Sequence, residues 1–138
     1  MILTGHRHED ARGIITYNNE FDASLIKRIY TIENHSTEFI RGWQGHKIEQ
    51  RWFACMKGAF EISVIHVDNF EKPSTDLPIK KITLTSNKLD YLHIEAGCIT
   101  AIQSLEQESK LLVLADYGIG EISDEYRFEL DYFNNNLK

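Results

Sequence analysis

The sequence predicts an all-β protein, and more specifically an antiparallel jelly roll that forms one domain over residues 1–138. About eight or nine short segments rich in β-branched and aromatic residues follow one another at fairly regular spacing, with turn residues between them. Helical patterns between these segments are missing, which excludes a doubly wound α/β fold. Both prolines lie in one long loop at 68–78, so they interrupt no strand.

The predicted strands run along most of the chain. Residues 1–10 are polar and are interpreted as a solvated or edge segment, and a turn at 10–13 leads into the first strand. Composition and alternation predict strands at 14–17, 25–32, 59–67, 79–84, 89–94, 98–105 and 110–117. The tail at 121–133 is charged and aromatic, and we expect part of it to be helical.

The stretch 39–58 mixes polar and apolar residues in a pattern that suggests a ligand site. If it is a strand, alternate side chains share one face. The side chains on the face expected to line the interior are Gln44, His46, Gln50 and Trp52. Arg41 and Lys47 would then lie on the other face or at the mouth, where cations can meet an anion. A histidine and two amides on an apolar framework indicate a polar ligand.

Composition limits the classes of function. A net charge of −6 argues against non-specific binding to nucleic acid or to a membrane surface, so we expect neither partner. Cys55 and Cys98 have neither metal-type spacing nor the number needed for a disulfide framework. With no signal peptide or long apolar run, they indicate a reducing cytoplasm.

Metal and cofactor sites are not expected. One histidine and two amides make a poor set of metal ligands. The pair Gly118 and Gly120 lacks a third glycine and a strand-to-helix context, so it is interpreted as a turn and not as a dinucleotide site. His46 itself has two interpretations of about equal weight: a general acid or base, or a structural histidine bonded to backbone.

Arginines offer the means to bind an anion. Four of them fall in the strand-rich first half of an acidic chain: Arg12, Arg28, Arg41 and Arg51. Guanidinium groups suit bidentate binding of phosphate, although each arginine alone is more often a plain surface residue.

Several short motifs together resemble one enzyme family. They are Asp10-Ala11-Arg12-Gly13, Lys27-Arg28-Ile29-Tyr30, Arg41-Gly42-Trp43-Gln44-Gly45-His46-Lys47, Glu49-Gln50, Val113-Leu114-Ala115-Asp116-Tyr117 and Tyr126-Arg127. The sequence resembles the cupin-type sugar 3,4-ketoisomerases that act on dTDP-linked 4-keto-6-deoxyhexoses and, more distantly, the dTDP-4-dehydrorhamnose 3,5-epimerases. The resemblance covers most of the chain. It implies a metal-free jelly roll, usually a homodimer, that binds a nucleotide-diphospho-sugar and moves protons beside a ketone through an enediol.

The resemblance also implies roles for individual residues. His46, with Tyr30, would do the acid–base chemistry. The residues expected to bind substrate are Arg12, Arg28, Arg41, Gln44, Lys47 and Gln50. The family pattern has histidine at position 44 as well as 46, and glutamine cannot exchange a proton near neutral pH. Residues 98–101 also lack the Pro, Trp and His typical of that strand. Two hypotheses therefore remain: an isomerase or epimerase that relies on His46, and a non-catalytic module that binds a sugar or nucleotide sugar.

Overall fold

The computed structural model describes residues 1–134, which form twelve β-strands and one short 3₁₀ turn at Ala23–Leu25. The first six strands are β1 (Ile2–Leu3), β2 (His6–Asp10), β3 (Gly13–Tyr17), β4 (Arg28–Ile32), β5 (Ile40–His46) and β6 (Arg51–Lys57). The remaining six are β7 (Ala59–His66), β8 (Lys80–Thr85), β9 (Tyr91–Ile94), β10 (Cys98–Ser104), β11 (Lys110–Ala115) and β12 (Glu125–Arg127).

Two five-stranded antiparallel sheets form the body of the protein. The first has the order β1-β9-β6-β11-β4, and the second has the order β12-β5-β10-β7-β8. Neighbours in both sheets are mostly distant in sequence, as in a jelly roll, and the predicted all-β antiparallel fold is confirmed. Strands β2 and β3 form a separate hairpin that pairs with neither sheet.

The inner faces of the two sheets meet in the main apolar core. Cross-strand neighbours in a sheet project to the same side, so the register identifies these faces. In the first sheet Phe53 of β6 lies opposite Val113 of β11, which lies opposite Tyr30 of β4. In the second sheet Ile102 of β10 lies opposite Ile62 of β7, and both are buried in the same core cluster as Phe53.

Each sheet also buries its outer face. On the first sheet, Trp52 packs against Phe21 from the segment between β3 and β4. On the second sheet, Trp43 packs against Phe133 from the tail. The aromatic side chains of the tail therefore cover the outer face of the second sheet and are removed from water there.

The predicted common face of the stretch 39–58 is wrong in part. The chain leaves the second sheet at His46 and enters the first at Arg51, so strand alternation does not carry across residues 47–50. Gln44 and His46 lie on the inner face, as expected. Trp52 lies on the outer face of the first sheet, stacked on His93, because it is Phe53 that belongs to the inner core.

The ends of the chain agree with the sequence in part. Residues 1–10 contain β1, at the edge of the first sheet, and the exposed β2, in agreement with the expected solvated or edge segment. The strand expected at 25–32 begins at Arg28, after the 3₁₀ turn. The tail expected to be partly helical contains β12 instead, because it pairs with the free edge of β5. The last four residues of the predicted domain, 135–138, lie outside the described residues.

Within residues 1–134, the structure contains no helix that is long and apolar enough to cross a membrane.

Candidate active site between the sheets

A cleft of about 450 Å³ opens between the two sheets, on the side where β4 and β12 form their edges. Four arginines line this cleft: Arg28, Arg41, Arg51 and Arg127. An adjoining recess of about 290 Å³ is lined by His46, Glu49 and the segment at 118–125. The two spaces share Arg28, Arg51 and Glu125, so they adjoin each other.

His46 lies at the inner wall of the recess, at the end of β5. It is 7% exposed, and its Nδ1 lies 3.0 Å from Oδ1 of Asp124. A Cβ atom at Gly45 would overlap the backbone of Cys98 and Ile99, so glycine permits the close approach of β5 to β10 beside His46. With Asp124 accepting a hydrogen bond from Nδ1–H, the neutral imidazole carries its lone pair on Nε2.

Asp124 holds the turn after β5 as well as the imidazole. Its Oδ2 accepts hydrogen bonds from the backbone N–H groups of Ile48, at 2.6 Å, and Glu49, at 2.9 Å. Burial raises the pKa of this carboxyl, but the bonds from Glu49, His46 and Ile48 together outweigh burial, and the net pKa is below its usual range. Asp124 is therefore ionised at neutral pH and fixes the orientation of His46.

The Nε2 atom of His46 is buried and has no hydrogen-bond partner among the described residues. Oε2 of Glu49 lies 3.5 Å from it, and the same oxygen accepts a hydrogen bond from Nε of Arg51 at 2.8 Å. Glu49 and Arg51 thus lie next to the reactive side of the imidazole, between the recess and the cleft. A buried polar atom without a partner is unusual and marks a candidate functional group.

Tyr30 is held in the cleft by two arginines. Nη1 of Arg51 donates a hydrogen bond to the Tyr30 hydroxyl at 2.6 Å, and Cζ of Arg28 lies 4.7 Å from the centre of the ring. Burial raises the pKa of the phenol, and the positive charges of Arg51 and Arg28 oppose that effect only in part. Tyr30 is therefore a neutral proton donor with a fixed hydroxyl.

Arg28 and Arg41 are positively charged side chains that form no ion pair within the described residues. Neither has a carboxylate partner within ion-pair distance among residues 1–134. Arg28 lies over the ring of Tyr30, and Arg41 donates to the side-chain oxygen of Asn34 at 3.2 Å. Such groups form strong charge-assisted bonds to phosphate. The cleft is therefore suited to an anion although the protein is acidic overall.

Gln44 lies on the inner face of β5, two residues before His46. Its side-chain nitrogen donates a hydrogen bond of 3.0 Å to Oε1 of Glu125 on β12. The other carboxylate oxygen of Glu125 accepts a bond of 2.8 Å from Nε of Arg127. The amide of Gln44 therefore holds the carboxylate of Glu125 at the cleft.

The structure brings together five of the eight predicted site residues. Those that line the cleft or its recess are Tyr30, Arg28, Arg41, Gln44 and His46. Gln50 lies elsewhere, where its side chain bonds to Asp116 and His93.

Arg12 and Lys47 also lie outside the cleft of their own chain. Lys47 is exposed in the turn after β5. Arg12 lies at the tip of the β2–β3 hairpin, where it forms an ion pair of 2.7 Å with Asp10. Neither residue reaches the cleft from the position it has in one chain.

Sequence reasoning missed Asp124 and Glu125. They follow β11 in a stretch without strand alternation, and they meet β5 across sequence separations of 78 and 81 residues. No local pattern links them to His46 or Gln44. Only the pairing of β12 with β5 brings them into the site.

The described part of the chain contains no group of three or more His, Cys, Asp or Glu side chains that could hold a metal ion. The expectation of a metal-free site remains a prediction.

Comparison with known proteins finds similar solved structures and a matching family. None of the curated proteins matches the sequence. The chain is similar in structure to the 3,4-ketoisomerase QdtA from Thermoanaerobacterium thermosaccharolyticum in complex with TDP-4-keto-6-deoxyglucose, with 22% identity, a TM-score of 0.71, and coverage of 99% of this chain and 92% of that one. A 3,4-ketoisomerase from Helicobacter canadensis gives 24% identity and a TM-score of 0.71, over 96% of this chain and 92% of that one.

A rmlC epimerase from Mycobacterium tuberculosis is similar at 13% identity with a TM-score of 0.70, over 92% of this chain and 67% of the epimerase. At these identities the likeness establishes the fold, a cupin-type jelly roll. The family model described as "FdtA: WxcM-like, C-terminal" matches residues 2–137, nearly the whole chain. The chain therefore belongs to the WxcM-like, C-terminal (FdtA) family, and the resemblance predicted from the sequence is confirmed.

Proposed function

We propose that the protein is a sugar-nucleotide isomerase or epimerase that acts on a dTDP-linked 4-keto-6-deoxyhexose by metal-free proton transfer. The observation that carries this proposal is the inward-facing imidazole of His46, oriented by Asp124, in a recess that adjoins an arginine-lined cleft. The similar ketoisomerase QdtA, in complex with TDP-4-keto-6-deoxyglucose, supports this choice of ligand. Its product would serve polysaccharide biosynthesis.

The arginines would bind the diphosphate of the substrate. Arg28 and Arg41 lie on facing strands of the two sheets and have no carboxylate partners among residues 1–134, so phosphate oxygens would meet free donors. Arg51 is paired with Glu49 and would support the site by fixing Tyr30. In this arrangement the sugar extends from the diphosphate toward the recess.

The reaction needs two kinds of proton movement. A proton leaves C3 of the sugar to form an enediol, and a proton is delivered to C4, while the hydroxyl proton on O3 passes to O4. Imidazole is the side chain that enzymes use most often for acid–base catalysis near neutral pH, and His46 supplies one in the recess. Tyr30, with its hydroxyl held by Arg51, would donate a hydrogen bond to a sugar oxygen.

A second function, binding without catalysis, has its own support. Gln44 stands where the family resemblance expects a histidine, and Nε2 of His46 is buried behind Glu49. Under this hypothesis the cleft keeps its arginines and binds a nucleotide sugar but transfers no proton.

The protein would act as a homodimer in a reducing cytoplasm. The β2–β3 hairpin stands apart from both sheets and exposes Ile14 and Ile15 by 50% and 59%. A second copy would cover these side chains, and it is also the means by which Arg12 at the hairpin tip could approach a cleft. Both cysteines are unpaired, Cys55 and Cys98, in agreement with a reducing compartment.

Titration calorimetry with dTDP, followed by NMR of dTDP-4-keto-6-deoxyglucose incubated with the protein, tests the proposal. We expect binding of dTDP and conversion of the sugar to a 3-keto isomer or a C3 epimer. Binding without conversion would favour the non-catalytic hypothesis. Absence of binding to either compound would refute both.

A further inference from the structure

A carboxylate, Glu125, lies where the cleft meets the recess. Glu125 is shared by the cleft and the recess, together with Arg28 and Arg51. Its side chain is 43% exposed, whereas Nε2 of His46 is buried. Glu125 is therefore the more accessible of the two possible bases.

The pairing of β12 with β5 fixes the position of Glu125. Glu125 lies directly opposite His46, and Arg127 lies opposite Gln44, so the four residues form two adjacent cross-strand pairs. Oε1 of Glu125 accepts from Gln44 and Oε2 accepts from Arg127, one donor on each oxygen. Each oxygen keeps a further lone pair, so the carboxylate is oriented and can still accept a proton.

The bond from Gln44 indicates more than a surface ion pair. An ion pair between Glu125 and Arg127 on an exposed strand would require neither an amide on β5 nor contact with the cleft. Gln44 instead draws the carboxylate toward the inner face, where the sugar would lie under the proposed function. A bound substrate would also remove water from Glu125, and desolvation makes a carboxylate a stronger base.

We propose that Glu125, oriented by Gln44, is the base that removes the C3 proton, an assignment that rests on the proposed function. The carboxylate takes the proton from C3, the C3–H electron pair forms the C3–C4 double bond, and the C4 carbonyl becomes an enolate oxygen. His46 then moves the hydroxyl proton of O3 to O4. The carboxylic acid of Glu125 returns its proton to C4 as the C3 carbonyl forms, which restores the starting protein.

The test compares Glu125→Gln with a matched control, Glu129→Gln, which makes the same chemical change on an exposed residue of the tail outside the cleft. The readouts are deuterium incorporation at C3 of dTDP-4-keto-6-deoxyglucose in D₂O and the Kd for dTDP. We expect Glu125→Gln to slow exchange about 10²–10⁴-fold, the usual effect of removing a proton-transfer group, with the Kd for dTDP changed less than about threefold. Glu129→Gln should match wild type in both.

Other results would overturn the role of Glu125, the catalytic function or the choice of ligand. Exchange by Glu125→Gln within about tenfold of wild type, or a rate loss matched by an equal loss of dTDP affinity, overturns the role of Glu125 as a base and leaves the proposed function intact. If wild type binds dTDP but exchanges no proton, the assignment fails together with the catalytic function. If wild type binds no dTDP, the site itself has been assigned to the wrong ligand. The double variant Gln44→His/Glu125→Gln adds a further check, because an imidazole at position 44 should restore part of the lost exchange.

Discussion

Replacement of Asp124 by Asn removes one charge from the centre of the site and changes no volume. The carboxylate accepts three hydrogen bonds, from the backbone N–H groups of Ile48 and Glu49 and from Nδ1 of His46. Asparagine has one oxygen and one NH₂ group, so it cannot accept all three in the same geometry. If its oxygen keeps the two backbone bonds, its NH₂ must face the imidazole. Nδ1 must then accept a hydrogen bond, and the single N–H proton of the neutral imidazole moves to Nε2.

The expected losses of stability and of turnover follow from these hydrogen bonds. Hydrogen bonds to a charged group contribute about 1.5–3 kcal/mol each, and since asparagine weakens them without removing all of them, we expect a loss of about 1–3 kcal/mol in the free energy of unfolding. Denaturant unfolding at pH 7 measures it, with the exposed Asp131→Asn as a control that should change stability by less than about 0.5 kcal/mol. Turnover should fall about 10²–10⁴-fold because His46 is in the wrong tautomer, with dTDP affinity nearly unchanged.

The stability difference between wild type and Asp124→Asn should depend on pH. The pKa of Asp124 is lowered in the folded protein, so its contribution is fully present above the unfolded pKa of about 4 and is lost as pH falls through the folded pKa. The stability difference between wild type and Asp124→Asn should therefore be largest near neutrality and shrink below about pH 4. A difference that is absent at pH 7, or that stays constant down to pH 3, would refute the reasoning.

The remaining predictions concern the cleft and its chemistry. Arg28→Gln and Arg41→Gln should each weaken dTDP binding about 10–100-fold by calorimetry, because each removes a charge-assisted bond to phosphate, whereas Arg7→Gln outside the cleft should bind as wild type does. Tyr30→Phe removes the hydroxyl that accepts from Arg51 and should lower kcat about 10²-fold with little change in dTDP affinity; an equal loss in both would assign Tyr30 to binding. Dialysis against EDTA should leave turnover unchanged, and stoichiometric iron, zinc or manganese by elemental analysis would contradict the metal-free mechanism.

The strands that could be predicted are those with strong alternation and clear turns on both sides. Residues 59–67 and 110–117 are examples, and the structure has β7 and β11 there. The stretch 39–58 shows where this reasoning stops. One alternation does not hold over the whole stretch, because a short turn at 47–50 carries the chain from one sheet to the other. Alternation is a local rule, so it assigned Gln44 and His46 correctly and misplaced Trp52.

The candidate site was predicted only as far as β4 and β5 define it. Tyr30, Arg28 and Gln44 lie on strands whose motifs are visible in the sequence, and they line the cleft. Glu125 begins a strand of three residues, β12, and Asp124 directly precedes it. Both reach the site because β12 pairs with β5, and such long-range pairing leaves no local signal. The position of Arg12 outside the cleft was equally hidden, because the hairpin that carries it pairs with neither sheet.

Deuterium exchange at C3 of dTDP-4-keto-6-deoxyglucose tests the central claim most directly, because it separates proton transfer from binding. Wild type should incorporate deuterium at C3 in D₂O, and His46→Asn should slow incorporation about 10²-fold or more while its Kd for dTDP stays nearly the same. Gln44→His should equal or exceed wild type, since it adds an imidazole to the inner face and a ring N–H can take over the hydrogen bond to Glu125. The claim of catalysis would be contradicted by a wild-type protein that binds dTDP without any exchange while Gln44→His gains it.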